Sequence, residues 1–479
     1  METNLTPLLP AAEVTLTALT VLLLDLFLRE EEKGFLAWIS VTGLALAAGM
    51  AFFLWGSQEG AFRNTLLLDD FALFFTEIFL GTALLTILSS IHYLRETNIR
   101  SGEYYALILF STTGMILMAA ANDLILFFLG LETMSVGVYI LTGMWRERVE
   151  ASEAAMKYFL IGAFATGFLL YGIALIFGAT GSTNLTRISF FLSLSFHQWP
   201  LLVIAGVYLV FIGLAFKIGA FPFHFWVPDV YEGAPTPITG FMSVAVKAAA
   251  FAGWARIFVH QFSVVEHEWG VPLHALAILT MTVGNLLAIA QSSVKRMLAY
   301  SSIAHAGYLL IGVVAGKEPG GSALLFYLLA YAPMTLGAFA VLLALKDGEK
   351  DNESYDDFAG VGLKRPFLGM AMSIFMLSLA GFPPLSGFTG KFYLFRSAIV
   401  SGYTDLAIIG ALNSLLSVIY YLRVIVKMYM EQGGVEAQPF AKAPCLYVAI
   451  VIAVLGTVGL GLLPARALSL SGVSYLSLR

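Results

Sequence analysis

The sequence predicts an all-α, polytopic membrane protein of about 14 transmembrane helices. Hydrophobic residues make up 59% of the chain and charged residues only 12%, whereas a globular domain is about a quarter charged. The mean hydropathy is +0.85. Successive apolar runs, such as YVAIVIAVLGTVGLGLL from Tyr447 onward, are long enough to cross a bilayer, which takes about 20 residues.

Each of these runs is expected to be a helix, because backbone that faces lipid must satisfy its own hydrogen bonds. The first run begins near Leu8 without a preceding basic segment, so we expect a retained helix rather than a cleaved leader. The predicted spans begin near Pro10, Phe35, Phe71, Tyr105, Leu124, Ala154, Leu201, Ile238, Val271, Met297, Ala323, Phe367, Leu406 and Tyr447.

The basic residues predict the orientation of these spans. With the N-terminus outside, the inner loops hold 14 basic residues and the outer loops hold five, which is the bias expected of cytoplasmic loops. Both termini should therefore face outside. The inner set is Arg29, Lys33, Arg95, Arg100, Arg146, Arg148, Lys295, Arg296, Lys346, Lys350, Lys364, Arg365, Lys427 and Lys442; the outer set is Arg63, Arg187, Lys317, Arg466 and Arg479. The inner loop 346–366 is mixed in charge and is expected to meet a partner or water.

Two stretches, KYFLIGAFATG (157–167) and FYLLAYAPMTLG (326–337), resemble each other, and in each half the next span is interrupted by proline. Duplicated transporter halves often place broken helices at matching positions, with the ion site at the break. A rival match of GFLLYG (167–172) with GYLLIG (307–312) implies another offset, and prolines also kink packed helices without function. We predict N-terminal helices over 1–103, repeats over 104–262 and 263–432 broken near Pro222 and Pro383, and a C-terminal helix and tail over 433–479.

Seven basic residues fall inside the predicted spans, where a charge costs at least about 2.5–3.5 kcal/mol on insertion scales. Arg256, Arg396 and Arg423 lie near predicted helix ends, so we expect them to extend toward the headgroups. Lys157 lies a few residues inside the inner boundary. The remaining three are central: Lys217 precedes the first break, Lys391 follows the second, and Lys247 lies about ten residues into its span.

Other ionisable groups share this depth. Glu132 lies near the middle of its span, and a buried carboxylate ionises beside a lysine, so we infer that it pairs with one of the central lysines. Glu77 is a weaker signal of the same kind. His224 and His305 titrate near neutral pH, although a lone helix histidine is more often a packing residue.

The chemistry of this set favours proton transport. The sequence has no phosphate-binding Gly-rich loop, no CxxC pair and no HExxH motif, and its single cysteine is Cys445, so we expect no redox centre, metal or cofactor in this chain. A Na⁺ or K⁺ site would need carboxylates and carbonyls, whereas lysine repels metal cations and exchanges protons.

The segment PFHFWVPDVYEGAPTPITGFMSVAVKAAAFAGW closely resembles the signature of the antiporter-like membrane subunits of NADH–quinone oxidoreductase, respiratory complex I. LETMSVGVYIL, EASEAAMKYFLIGA, KRMLAYSSIAHAGYLL and GFPPLSGFTGKFYLF match as well, in the family's order. Among the large homologous subunits, VYEGAPTP and the lysine at position 391 resemble subunit N.

This resemblance implies two inverted five-helix repeats and a role for each matched residue. Glu132 and Lys217 would form a modulating ion pair, Lys247 would be the central proton carrier, and His305 would link to the second half. Lys391 would pass the proton outward, and Lys157 would lie near the inner opening. Asp229, Glu232, Pro235 and Pro237 would shape the break.

The resemblance also implies partners: neighbouring membrane subunits of complex I, with quinone, FMN and iron–sulfur clusters held elsewhere in the complex. The protein would lie in the bacterial inner membrane or a thylakoid membrane, moving protons as quinone is reduced. Two alternatives stay open: a subunit of a multisubunit Na⁺/H⁺ antiporter or membrane-bound hydrogenase, and a non-conducting structural subunit whose charges form tertiary salt bridges.

Overall fold

Long apolar helices form almost the whole structure, as the sequence predicts. The structure is a computed structural model that describes residues 4–97, 99, 101–194, 199–316, 318–345, 353–433 and 443–478. The helices are α1 (Leu9–Asp25), α2 (Gly34–Phe53), α3 (Asp70–Thr97), α4 (Ser101–Ala120), α5 (Leu124–Thr142), α6 (Val149–Thr180), α7 (Leu185–Leu194), α8 (Leu201–Ile218), α9 (Trp226–Gly233), α10 (Thr236–Gln261), α11 (Glu266–Ile289), α12 (Val294–Val314), α13 (Gly320–Ala344), α14 (Pro366–Ala380), α15 (Ser386–Val400), α16 (Thr404–Met430), α17 (Pro444–Leu462) and α18 (Pro464–Leu476).

Within the described residues, thirteen of these helices are long and apolar enough to cross a membrane. They begin within a few residues of thirteen of the predicted spans. The fourteenth predicted span, from near Phe367, is the pair of 15-residue helices α14 and α15. The sequence did not predict α7, α18 or the antiparallel hairpin of β1 (Glu59–Ala61) and β2 (Leu66–Leu68).

Two crossings are broken in the middle, at the predicted positions. The chain leaves α8 at Gly219 and resumes as α9, and it leaves α14 at Gly381 and resumes as α15. Both glycines have left-handed backbone, with φ of 70° and 93°, a conformation that commonly ends a helix. In both, the amide of the following residue bonds five residues back, from Ala220 to Ala215 O and from Phe382 to Leu377 O. The breaks are therefore built alike.

Helix α10 is the centre of the bundle. Every residue in its most apolar 18-residue window is buried. Two stretches of π-helix interrupt it, Met242–Val246 and Trp254–Gln261, and such segments often occur at functional sites. Lys247 follows the first of them directly.

We call the loops that hold the predicted inner basic residues the basic face (26–33, 143–148, 290–293, 353–365 and 431–433). Some of them are joined through the loop 353–365: Val294 N donates to Glu353 O at 2.7 Å, and Gly360 N donates to Lys427 O at 3.2 Å. The orientation of the basic face in the cell stays a prediction. Residues 346–352 of the long inner loop lie outside the described residues, as do six basic residues used for that prediction: Arg100, Lys317, Lys346, Lys350, Lys442 and Arg479.

We predict that Gly219→Ala destabilises the protein by about 1–2 kcal/mol or more, because a side chain disfavours left-handed backbone. The new Cβ would also lie 2.7 Å from Val227 Cγ2. Gly167→Ala, in the middle of α6 with open space around it, is the matched control and should leave stability unchanged or higher. Thermal unfolding of the detergent-solubilised protein measures both. Equal midpoints for the two variants would contradict the account of the break.

Candidate functional site

Lys217 lies in the last turn of α8, just before the first break, and is only 2% exposed. Its Nζ donates to Ser135 Oγ at 2.7 Å. The same atom lies 5.4 Å from the ring centre of Tyr139 and 5.7 Å from that of Tyr158, within the range of a cation–π interaction. One hydroxyl and two aromatic faces thus replace the water that this charge lacks.

Glu132 does not contact Lys217, which corrects the expected ion pair. No oxygen of Glu132 lies within 4 Å of a basic nitrogen in the described part of the chain, and its buried Oε1 has no hydrogen-bond partner there. Lys217 instead contacts Ser135, which lies one turn further along α5.

Lys247 is 1% exposed and points from α10 to α12. Its Nζ donates to Ser302 O at 2.6 Å and to Ser302 Oγ at 2.8 Å. It also lies 5.9 Å from the ring centre of Tyr231 on α9. The ammonium group is therefore held by α12 on one side and by α9, the second half of the broken helix, on the other.

His305, 1% exposed on α12, is bonded through both ring nitrogens. Nδ1 lies 2.6 Å from the hydroxyl of Tyr327 on α13, and Nε2 lies 3.0 Å from the hydroxyl of Tyr421 on α16. The Tyr421 hydroxyl also bonds Ser301 Oγ. An unbroken series of polar groups runs from Tyr327 through His305 and Tyr421 to Ser301, whose neighbour Ser302 binds Lys247.

Lys391 is 3% exposed on α15 and closes the second break. Its Nζ donates to Leu379 O at 2.9 Å, to Ala380 O at 3.1 Å and to Ser414 Oγ at 2.9 Å. The two carbonyls end α14, where no further turn of helix can use them, and the negative end of the helix dipole favours a cation there. Nζ also lies 4.9 Å from the ring centre of Tyr308. All three protons of this ammonium group have acceptors.

Three of the central groups are brought together by α12, which contributes Ser302, His305 and Tyr308 within two turns of helix. The structure thereby joins Lys247, His305 and Lys391 into one cluster. Sequence reasoning missed the hydroxyls that hold this cluster, and the signal that could have found them is the row of serines that precedes His305 in YSSIAHAGY.

Aromatic rings separate Lys217 from Lys247. The Trp226 ring stacks on Tyr158, with centres 4.5 Å apart and planes at 9°, and meets Tyr231 edge-on at 6.3 Å. Tyr158 faces Lys217, and Tyr231 faces Lys247. The Trp226 indole N–H donates to Phe216 O at 3.3 Å, so it uses a carbonyl of the last turn of α8. The wall between the two lysines is thus part of the first break.

Lys157 lies at the basic face, 41% exposed, and pairs with Glu153 at 2.7 Å and Asp229 at 3.0 Å. Arg296 on α12 bonds Asp229 at 3.0 Å and also pairs with Glu232. Lys157, Asp229 and Glu232 line an open cavity of about 290 Å³. Asp229 and Glu232 thus hold α9 to its neighbours at the mouth of this cavity.

His224 does not join the cluster. It lies in the turn between α8 and α9, half-buried, and its buried Nδ1 has no hydrogen-bond partner among the described residues. Its ring lies 5.5 Å from that of Phe221. It is close to the first break in sequence, but the structure gives it no contact with a lysine.

Arg256 is a second correction. We expected it to extend to the headgroups, yet it is 1% exposed within the second π-helical stretch of α10. Nη2 donates to both oxygens of Asp69 at 2.9 Å, and Nε donates to Ala119 O at 2.9 Å. A buried carboxylate near the start of α3 draws the arginine inward. Arg396 and Arg423 are exposed, as expected.

We predict that Arg256→Met lowers stability by about 3–5 kcal/mol, because it leaves the Asp69 carboxylate buried and unpaired. Arg396→Met removes the same charge from an exposed site and should change stability little. The yield of folded protein extracted from membranes and its unfolding midpoint measure both. A midpoint for Arg256→Met equal to that of Arg396→Met would show that the pair is not structural.

The comparisons agree with this architecture. The family described as NADH:quinone oxidoreductase/Mrp antiporter, TM, matches residues 121–417. NADH-quinone oxidoreductase subunit N of Trichlorobacter lovleyi is 47% identical over 465 residues, which are 97% of this chain and 96% of that protein. A chain in a solved structure of respiratory complex I from Thermus thermophilus is 35% identical with a TM-score of 0.82, covering 97% of this chain and all of the other.

A chain of an archaeal membrane-bound sulfane sulfur reductase has a TM-score of 0.85 at 25% identity, covering 98% of this chain and 97% of the other. The backbone is thus shared across several respiratory complexes, while the sequence is nearer to subunit N. This chain is a multi-pass membrane protein of the NADH:quinone oxidoreductase/Mrp antiporter family, and its relatives of 40–47% identity are NADH-quinone oxidoreductase subunits N.

Proposed function

We propose that this chain carries protons across the membrane through Lys217, Lys247, His305 and Lys391, as an antiporter-like membrane-arm subunit of complex I. The observation that supports this most directly is the pair of polar groups that meet at Ser301 and Ser302 of α12. Lys247 binds Ser302, and the adjacent Ser301 is linked through the Tyr421 hydroxyl to His305. No hydrogen bond joins the two serines in the described part of the chain, so a proton would need a water or a side-chain rotation to pass between them.

His305 is suited to pass a proton rather than hold it. A neutral imidazole donates at one ring nitrogen and accepts at the other, and both nitrogens face tyrosine hydroxyls. A proton accepted at Nε2 can therefore be matched by one released at Nδ1. Serine and tyrosine hydroxyls both donate and accept, so they can relay a proton without becoming charged for long.

The step from Lys217 to Lys247 needs a movement. Trp226 stacks on Tyr158, which faces Lys217, and meets Tyr231, which faces Lys247, and its own ring has no oxygen that could relay a proton. A shift of α9 would move Trp226 and Tyr231 together, and a charged Glu132 on α5 would favour the charged form of a nearby lysine. Energy for this movement would come from quinone reduction in other subunits, which would also hold FMN and the iron–sulfur clusters.

The direction of transport follows from the positions of the remaining groups. The cavity at Lys157 opens on the basic face, and we propose that it admits protons from the inside. Lys391, at the far end of the cluster, would release them outward. Both termini would then lie outside a bacterial inner membrane. His224, without a contact to the cluster, is the weakest member of the proposed relay.

The antiporter and hydrogenase alternatives would use the same cluster with a different partner, and the 47% identity to a subunit N favours complex I. The structural alternative would need the buried lysines to be paired with carboxylates. Lys217, Lys247 and Lys391 instead bind hydroxyls and carbonyls.

We predict that Lys247→Ala in the assembled complex lowers the number of protons moved per NADH oxidised, because the carrier between α9 and α12 is lost. Proton uptake by inverted membrane vesicles and NADH oxidation are measured together. Lys364→Ala, an exposed lysine of the basic face, is the control and should leave the ratio unchanged. An unchanged ratio in assembled Lys247→Ala complex would refute proton carriage by this residue, and loss of assembly alone would favour the structural alternative.

We predict that Tyr421→Phe slows proton uptake while the complex still assembles, because it removes one hydroxyl that bonds both His305 and Ser301 and leaves the ring in place. Loss of one relay group is expected to lower the coupled rate by about 100-fold, the lower end of the range for positioned proton transfer. Tyr171→Phe, at an exposed tyrosine of α6, is the control. A coupled rate equal to that of the control would remove Tyr421 from the pathway.

A further inference from the structure

Helix α3 is buried on all sides except one narrow stripe. Of its 28 residues, only those spaced as one helical face are accessible. We call this stripe the Glu77 face, and it consists of Glu77, Gly81, Leu84, Leu85, Ile91, His92, Arg95 and Glu96. The spacing of four, three and seven residues between its members is that of adjacent positions on a helix surface.

Glu77 has no partner of its own within the described part of the chain. Neither carboxylate oxygen makes a hydrogen bond or ion pair there, and both remain accessible from the stripe because neither is among the buried unpaired atoms. The carboxylate therefore faces outward from the bundle with its hydrogen-bonding capacity unused.

Glu77 lies within an apolar stretch of α3, away from the helix start. Glu77 lies seven residues past the start of α3, about 10 Å along the axis at 1.5 Å per residue. The segment around it, FALFFTEIFLGTALL, is apolar. Hydrocarbon offers no donor, and ionisable residues within membranes as a rule pair or mark a functional site.

Gly81 provides room beside the carboxylate. It lies one turn from Glu77 on the same face, is exposed, and a Cβ placed on it would meet nothing within 4 Å. Small residues on a membrane helix let another helix backbone approach closely. The stripe thus combines a close-approach point with an unpaired carboxyl group, which would ionise beside a basic partner.

We propose that the Glu77 face is a docking site for a transmembrane helix of another subunit, and that this helix brings a lysine or arginine to the Glu77 carboxylate. Charge complementarity favours a basic partner, because a carboxylate in hydrocarbon is stabilised most by a cation at contact distance. The inference does not depend on proton transport through Lys217, Lys247, His305 and Lys391.

Site-specific photo-crosslinking in the assembled complex tests the proposal. A benzoylphenylalanine at position 84, two turns from Glu77, should crosslink to one transmembrane segment of one subunit, and that segment should contain a lysine or arginine. The same probe at Leu455, an exposed position on α17, is the control for general membrane contact. Adducts with lipid alone at position 84, or with a segment that has no basic residue, would overturn the proposal.

Charge variants supply the second arm. Glu77→Lys should lower the recovery of this chain in the intact complex by about tenfold or more, since like charges would then meet in the membrane. Exchanging the crosslinked basic residue for glutamate should restore it. Glu77→Gln should lower the recovery less than Glu77→Lys does. Gly81→Leu should also lower the recovery, because it fills the close-approach point. Gly459→Leu, at an equally open glycine of α17, is the control and should leave the recovery unchanged. Full recovery of both Glu77→Lys and Gly81→Leu would refute the docking site, whether or not the buried lysines carry protons.

Discussion

The structure depends on keeping three ammonium groups inside a bundle that lipid surrounds. Each buried N–H must meet a lone pair or an aromatic face, because an unmet charge is far costlier there than in water. The chain supplies these partners by breaking two helices and by lining the breaks with serine and tyrosine. Lys391 takes the carbonyls that end α14, Lys247 takes the carbonyl and hydroxyl of Ser302, and Lys217 takes one hydroxyl and two rings.

The two breaks are alike in backbone and different in use. Both end at a left-handed glycine with the same pattern of backbone bonds. At the second break the free carbonyls bind Lys391 directly. At the first, Phe216 O accepts the Trp226 indole instead, and Lys217 turns away toward α5. The first half therefore places an aromatic wall where the second half places a bound cation, and Lys217 has the fewest hydrogen-bond partners of the three lysines.

The sequence predicted the spans, both breaks and the central lysines, because apolar length, proline and a charge in an apolar run are local properties. Contacts between helices could not be predicted in this way. Arg256 lies near the end of its helix and was expected to reach the headgroups, but Asp69, 187 residues away in the chain, draws it inward. Glu132 was expected to touch a lysine, and a serine one turn away intervenes. Nothing in the sequence distinguishes Ser302, Tyr327 and Tyr421 from other serines and tyrosines. Their hydroxyls acquire a role only where α10, α12, α13 and α16 meet.

The positions of ordered water molecules around Lys217, Lys247, His305 and Lys391 test the central claim most directly. An electron cryo-microscopy map of the assembled complex, at a resolution that shows individual waters, would locate them relative to these side chains. The account predicts the Lys247, His305 and Lys391 tips at mid-depth, joined by waters or hydroxyls at hydrogen-bond distance. It is contradicted if the lysine tips reach the headgroup region, or if a dry apolar gap divides Lys247 from Lys391.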